Sequence, residues 1–133
     1  MIRLVDTSVW LEFLRKSGAR GCQEEVVRLM KAREAAYCGP VELELMAGAR
    51  TPREAEYVRL TLDACVRLDV EEVVWAVAGH AQFLLARKGQ PVGLGDLLIA
   101  AVARAHGASV VTRDSDFERI RDGLWAELNV EKI

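Results

Sequence analysis

Short apolar runs alternate with longer stretches whose apolar residues recur at helical spacing, and this alternation organises the whole chain. Ile2-Arg3-Leu4-Val5-Asp6 reads as a buried strand running straight into a helix over Val9 to Arg15, with Thr7 or Ser8 as its N-cap and Gly18 and Gly21 as its breakers. Gln23 to Ala32 carries an apolar stripe of Val26, Val27, Leu29 and Met30, which predicts a second helix. Ala35 to Cys38 is a second strand, ended by Gly39-Pro40. Helices follow over Val41 to Ala49 and from Pro52 to Leu62, the latter with proline in its first turn. Cys65 to Leu68 is a third strand, and Glu71 to Lys88 a long helix stopped by Gly89 and Pro91. Asp96 caps a helix to His106, Ser109 to Thr112 is a fourth strand, and a short helix spans Ser115 to Arg121. Ala126 to Val130 adds a fifth strand. The glycine-rich stretch 89–95 is expected to be the most flexible. Strands alternating with helices predict a parallel sheet covered on both faces, hence a three-layer α/β/α sandwich of four or five strands.

At 133 residues the chain has the size of one domain, spanning 1–133, with 51% hydrophobic residues to build a core. A net charge of −2 provides no global field for nucleic acid, so any such contact needs a local basic strip. The three cysteines (Cys22, Cys38, Cys65) lack metal-ligand spacing and read as small buried hydrophobes in a reducing cytosol. Asp6 and Glu12 interrupt the N-terminal apolar run, which argues against a signal peptide, and no apolar stretch has the length of a membrane span.

Chemistry enters with four acids far apart in sequence: Asp6, Glu44, Asp96 and Asp114, with Asp116 close by. In an open parallel sheet, ligands bind beyond the carboxyl ends of the strands, and both Asp6 and Asp114 follow strands. Carboxylates gathered at such a rim repel one another and call for a hard cation such as Mg²⁺ or Mn²⁺. Each acid alone has a plainer reading as a helix cap or turn residue. Glu44 differs: it lies beside the apolar stripe of Val41, Leu45 and Ala49, so partial burial and a compensating partner are expected.

Taken in order, strand–Asp6-Thr7-Ser8–helix, Glu44-Leu45-x-x-Gly48, Asp96-Leu97-Leu98-Ile99-Ala100-Ala101 and Val110-Val111-Thr112-Arg113-Asp114-Ser115-Asp116-Phe117 resemble the PIN-domain ribonucleases. The length resembles the VapC-like toxins among them. The resemblance implies a metal-dependent endoribonuclease holding Mg²⁺ or Mn²⁺ through Asp6, Glu44, Asp96 and Asp114, with Asp116 as an auxiliary acid and Glu42 as an alternative to Glu44. It also implies supporting hydroxyls at Thr7 or Ser8 and at Thr112, a homodimer, and inhibition by a VapB-like antitoxin.

Basic residues flank the expected rim: Arg15, Lys16, Arg50, Arg53, Arg87, Lys88 and Arg113, of which Arg113 is best placed to meet an RNA phosphate. His80 and His106 read as structural, and Trp10, Trp75 and Trp125 as core or interface residues. Two other readings, an enzyme and a nucleotide-binding module, fit poorly. An aspartate-nucleophile phosphatase needs a second aspartate where Ser8 stands. A dinucleotide site at Gly93-Leu94-Gly95 lacks its third glycine, and Asp96 would repel pyrophosphate. A non-catalytic binding module remains the rival, since Val9, Trp10, Leu11, Phe13 and Leu14 leave the first helix almost without a polar face. Such a helix is either buried on all sides inside the domain or, as we prefer, has one side on the sheet and the other on a partner, which places Trp10 or Leu14 at a dimer or antitoxin interface.

Overall fold

Leu4 and Val5 are fully buried, and the strand they form is the centre of the molecule. The computed structural model describes residues 1–133. In chain order its elements are β1 (Arg3–Val5), α1 (Thr7–Leu14), α2 (Arg20–Lys31), β2 (Ala35–Cys38), α3 (Gly39–Gly48) and α4 (Pro52–Asp63). They continue with β3 (Val66–Leu68), α5 (Glu72–Arg87), α6 (Leu94–His106), β4 (Ser109–Thr112), α7 (Asp116–Gly123) and β5 (Val130–Lys132).

All five strands are parallel, in the order β3-β2-β1-β4-β5. The chain builds outward from β1 through β2 to β3, then returns to the other side of β1 to lay down β4 and β5. The reversal falls between β1 and β4, where Arg3 pairs with Ser109 and Val5 with Val111. Right-handed crossovers place helices on opposite faces for the two directions of travel. Accordingly α1 packs on α2 and α3, while α6 packs on α5 and α7, giving the three-layer α/β/α arrangement. β2 and β4 are buried at every residue, as strands covered on both faces must be. No helix is long and apolar enough to cross a membrane.

Several local details differ from the sequence reading. The N-cap of α1 is Asp6, whose side chain accepts from the Val9 N–H, and Thr7 and Ser8 are already helical. Asp96 is the third residue of α6 rather than its cap, which is Gly93. Gly39 and Pro40 begin α3 instead of separating it from β2, since proline's fixed φ suits a first helical turn. The fifth strand is Val130–Lys132, displaced toward the C-terminus from the expected 126–130. The stretch 89–95 is anchored in the middle: Val92 is buried, and its carbonyl accepts from Gln82 Nε2 at 2.7 Å.

The largest correction concerns Trp10. It is 0% exposed and cannot belong to a contact surface of the folded chain. Its ring meets Phe13 edge-on with centroids 5.9 Å apart, and α1 as a whole is covered by α2, α3 and β4. Neighbouring helices of the same layer therefore satisfy most of the apolar circumference that the sequence left for a partner. Leu14 is only partly buried and lines a groove of about 380 Å³ with Leu11, Leu45, Arg50 and Tyr57. Of the other tryptophans, Trp125 is buried and Trp75 is exposed on α5.

Candidate active site

The turns leaving β1 and β4 lie side by side at the topological reversal, the place where an open parallel sheet forms a crevice. Asp6 is the first residue beyond β1 and is 2% exposed. Such a carboxylate must be hydrogen-bonded. Ser8 Oγ donates to its Oδ1 at 2.6 Å, and Thr112 Oγ1 donates to its Oδ2 at 2.8 Å. Burial nevertheless pushes the Asp6 carboxyl above its ordinary range; the hydrogen bonds oppose the shift, and the charge of Asp114 adds to it.

Thr112 and Ser8 each act twice. Thr112 Oγ1 also accepts the Asp114 N–H at 2.8 Å, and Ser8 Oγ accepts the Arg113 N–H at 3.1 Å. The Asp116 N–H in turn donates to Asp114 Oδ1 at 2.9 Å. The turn after β4 is thus tied through two hydroxyls to the turn after β1, which fixes where Asp114 and Asp116 stand.

Asp96 arrives from the far side, in the first turn of α6. Asp96, Asp114 and Asp116 each offer one carboxylate oxygen, and these atoms lie within 4.8 Å of one another. No lysine, arginine or histidine pairs with Asp96 or Asp114, whereas Asp116 accepts from Arg119 Nη1 at 2.7 Å. The consequence falls on Asp96, whose carboxyl is pushed up from 3.8 to about 7 by burial first, and then by the charge and hydrogen bond of Asp114 and the charges of Asp6 and Asp116.

Glu44 is exposed on α3, contrary to the partial burial expected from its stripe. It still reaches the rim: Thr7 Oγ1 donates to its Oε1 at 2.8 Å. A Cβ built on Gly95 would come within 3.3 Å of Glu44 Oε2, so the bare backbone of Gly95 lets the first turn of α6 lie against this carboxylate. Glu42 points elsewhere, to Arg67 Nη1 at 2.8 Å. Neither histidine is at the rim: His106 contacts the Asp69 carbonyl at the end of α6, and His80 stacks on Phe83 of α5.

These donors suit a hard divalent cation. Three carboxylate oxygens within reach of one ion, on residues of which two have no internal counter-charge, are the ligand type Mg²⁺ and Mn²⁺ take, with room left for water. The sequence reading overlooked Glu12. Its Oε1 accepts the Ala19 N–H at 3.0 Å and lies 3.2 Å from Arg113 Nη1. Arg113, expected to meet an RNA phosphate, thus already has a carboxylate partner. The one signal for Glu12 in the sequence is a lone charge inside an otherwise apolar helix.

A parallel sheet with carboxylates at its switch point is the frame of the PIN domain. The pattern of that family matches residues 3–123, and the chain belongs to the PIN-domain family. Similar proteins within it include VapC ribonucleases. Over 122 residues the chain is 34% identical to VapC ribonuclease Mb1587 of Mycobacterium bovis, covering 88% of this chain and 90% of that protein. Ribonuclease VapC21 of Mycobacterium tuberculosis is 37% identical over 95 residues, 69% of each chain. In fold, a chain of the DNA-bound VapBC from Salmonella typhimurium superposes with a TM-score of 0.81 at 24% identity, covering 99% of this chain and 98% of that one.

Proposed function

We propose that this chain is a metal-dependent endoribonuclease, the toxin half of a VapBC-type toxin–antitoxin pair, with its site at the rim between β1 and β4. The observation that carries this is the convergence of Asp96, Asp114 and Asp116, with Asp6 behind them and no internal cation on Asp96 or Asp114. Asp96, Asp114 and Asp116 would hold Mg²⁺ or Mn²⁺, with Asp6 and Glu44 completing the acidic wall. The chemistry such an ion supplies when bound is neutralisation of phosphate charge and a more acidic water for hydrolysis. The chain's own part is positional. Thr112 and Ser8 orient Asp6, Thr7 orients Glu44, and the hydroxyl ties set the Asp114–Asp116 turn against α6. Asp96, its carboxyl pushed up to about 7 by burial and its acidic neighbours, would bind such an ion as the carboxylate and give up its proton in doing so.

Two surfaces suit the two protein partners we propose. The groove beside Leu14, with Leu11, Leu45 and Tyr57 on its walls and Arg15 and Arg50 at its edge, is our site for the apolar segment of a VapB-like antitoxin. Trp75 and Phe83, 60% and 55% exposed on one stripe of α5, are our site for the second copy of a homodimer.

One purified preparation tests the reading. It should cleave RNA with Mg²⁺ or Mn²⁺, stop with EDTA, recover on re-addition of the ion, and stop again when the antitoxin is added. Leu14→Glu should weaken antitoxin inhibition without touching cleavage, and Trp75→Glu should lower the mass seen by light scattering. Undiminished cleavage in EDTA would falsify the metal site.

A further inference from the structure

Arg113 stands immediately before Asp114, yet its guanidinium lies on neither Asp114 nor Asp96. It pairs with Glu12 on α1, at 3.2 Å from Nη1 to Oε1. That choice has a cause in the fold. The Glu12 side chain is only 18% exposed, and its Oε1 is fixed by the Ala19 N–H at 3.0 Å. The turn beyond it is closed just as firmly. A Cβ at Gly18 would fall 1.8 Å from the Glu12 carbonyl oxygen, and Gln23 Nε2 donates to that same oxygen at 3.1 Å. Glu12 is therefore a rigid acceptor, and Ser8 Oγ, through the Arg113 N–H, holds the arginine's backbone beside it.

An arginine freed from such a partner can fold back on the aspartate that follows it. This chain shows the contact itself: Arg121 Nε meets Asp122 Oδ1 at 2.8 Å. At the rim the same contact would place a permanent cation on Asp114 or Asp96, the two carboxylates of the cluster that have none, and satisfy one of them from within. We infer that Glu12 is a positioning residue of the nuclease site, a decoy carboxylate that keeps Arg113 off Asp114 and Asp96 and so leaves the cluster free to take a cation from solution.

This rests on the metal reading of the rim, and the test separates the two. Mn²⁺ binding is measured by calorimetry on the full chain, alongside the metal-free crystal structure of each variant. Glu12→Gln keeps an oxygen for the Ala19 N–H but removes the charge that holds Arg113. Its affinity for Mn²⁺ should fall about 10- to 100-fold, the range seen when groups behind metal ligands are altered. Its metal-free structure should show Arg113 within salt-bridge distance of Asp114 or Asp96. Arg113→Ala should bind Mn²⁺ at least as tightly as the parent, and the double variant Glu12→Gln/Arg113→Ala should regain the parent affinity. A merely structural Glu12 would instead lower the melting temperature, leave Mn²⁺ affinity alone and gain nothing from removal of Arg113. Equal affinity of parent and Glu12→Gln, or a double variant as weak as Glu12→Gln, overturns the inference. Absence of Mn²⁺ binding by the parent overturns the metal reading, while the position of Arg113 in the Glu12→Gln structure still decides whether Glu12 restrains it.

Discussion

Two acidic clusters lie around the central strand, and the protein treats them in opposite ways. Near the start of β1, Glu34 and Glu131 flank Arg3; Glu34 is in direct contact with the guanidinium and also lies near the N-terminal ammonium, and Glu131 Oε2 is 2.9 Å from Arg3 Nε. At the far end of the same strand, Asp6 receives only neutral donors, and Asp96 and Asp114 receive no cation. The first cluster carries its counter-charge in the sequence and ties β1 to its surroundings. The second leaves repulsion standing, which costs stability and persists only where something else is gained. The carboxylates at the start of β1 come with their own cation; Asp96 and Asp114, to which we assign the chemistry, leave the place for one open.

The sharpest way to break this contrast is to remove one carboxylate at the rim. Asp96→Asn or Asp114→Asn should lower RNA cleavage by about two orders of magnitude or more, the scale expected when a group stabilising transition-state charge is lost. Circular dichroism should show the fold intact and the metal-free melting temperature unchanged or higher. A folded, fully active Asp96→Asn would return that residue to the plain role of an acid in a first helical turn.

The pH dependence of stability sharpens it further. The Asp96 carboxyl protonates at about 7 in the folded chain against an ordinary value of 3.8, so between those values the folded form holds the extra proton. Stability therefore falls as pH rises through this window, the reverse of a salt-bridged carboxylate. Metal-free protein should lose several degrees of melting temperature between pH 5 and pH 8. Asp96→Asn should flatten that slope, and so should saturating Mn²⁺. A slope of the opposite sign in the metal-free chain would mean that the cluster is neutralised from within.

The smallest effect belongs to the other end. Arg3 is 20% exposed, so Arg3→Met should cost about 1–2 kcal/mol, between the values for surface and buried pairs. Chemical denaturation would read this, and RNA cleavage per folded molecule should not change. A loss of cleavage equal to that of Asp114→Asn would erase the distinction between the two ends.

Much of the framework was legible in the sequence because it rests on local pattern. Ser109–Thr112 is an apolar run stopped by charge, and it forms β4 with the expected boundaries. The four acids could be ordered because each stands beside an element with a clear period. What was not legible depends on contacts between distant segments. Nothing local in Trp10 distinguishes a helix face covered by α2 and α3 from one awaiting a partner. Val130-Glu131-Lys132 has too little alternation to announce a strand, and becomes one through pairing with Val110, Val111 and Thr112. Glu12 showed in the sequence only as a break in an apolar run, because its partner Arg113 is about a hundred residues away. Asp6 was read as either a cap or a site residue, and the geometry makes it a cap that also stands at the acidic rim, bonded to Thr112.

The strand order has a consequence for the timing of synthesis. β1 is made first but occupies the middle of the sheet, and its second neighbour, β4, is the fourth strand to be completed. A growing chain that has folded through β3 presents Asp6 at the end of a strand with one open edge, without Asp114, Asp116 or the turn that holds them. Domains fold as units while the ribosome works, and pairings between distant segments come late. The acidic rim is therefore assembled only after β4 and the turn that follows it are delivered, so a hydrolase of RNA built on this topology stays chemically incomplete among the RNAs that make it until that point.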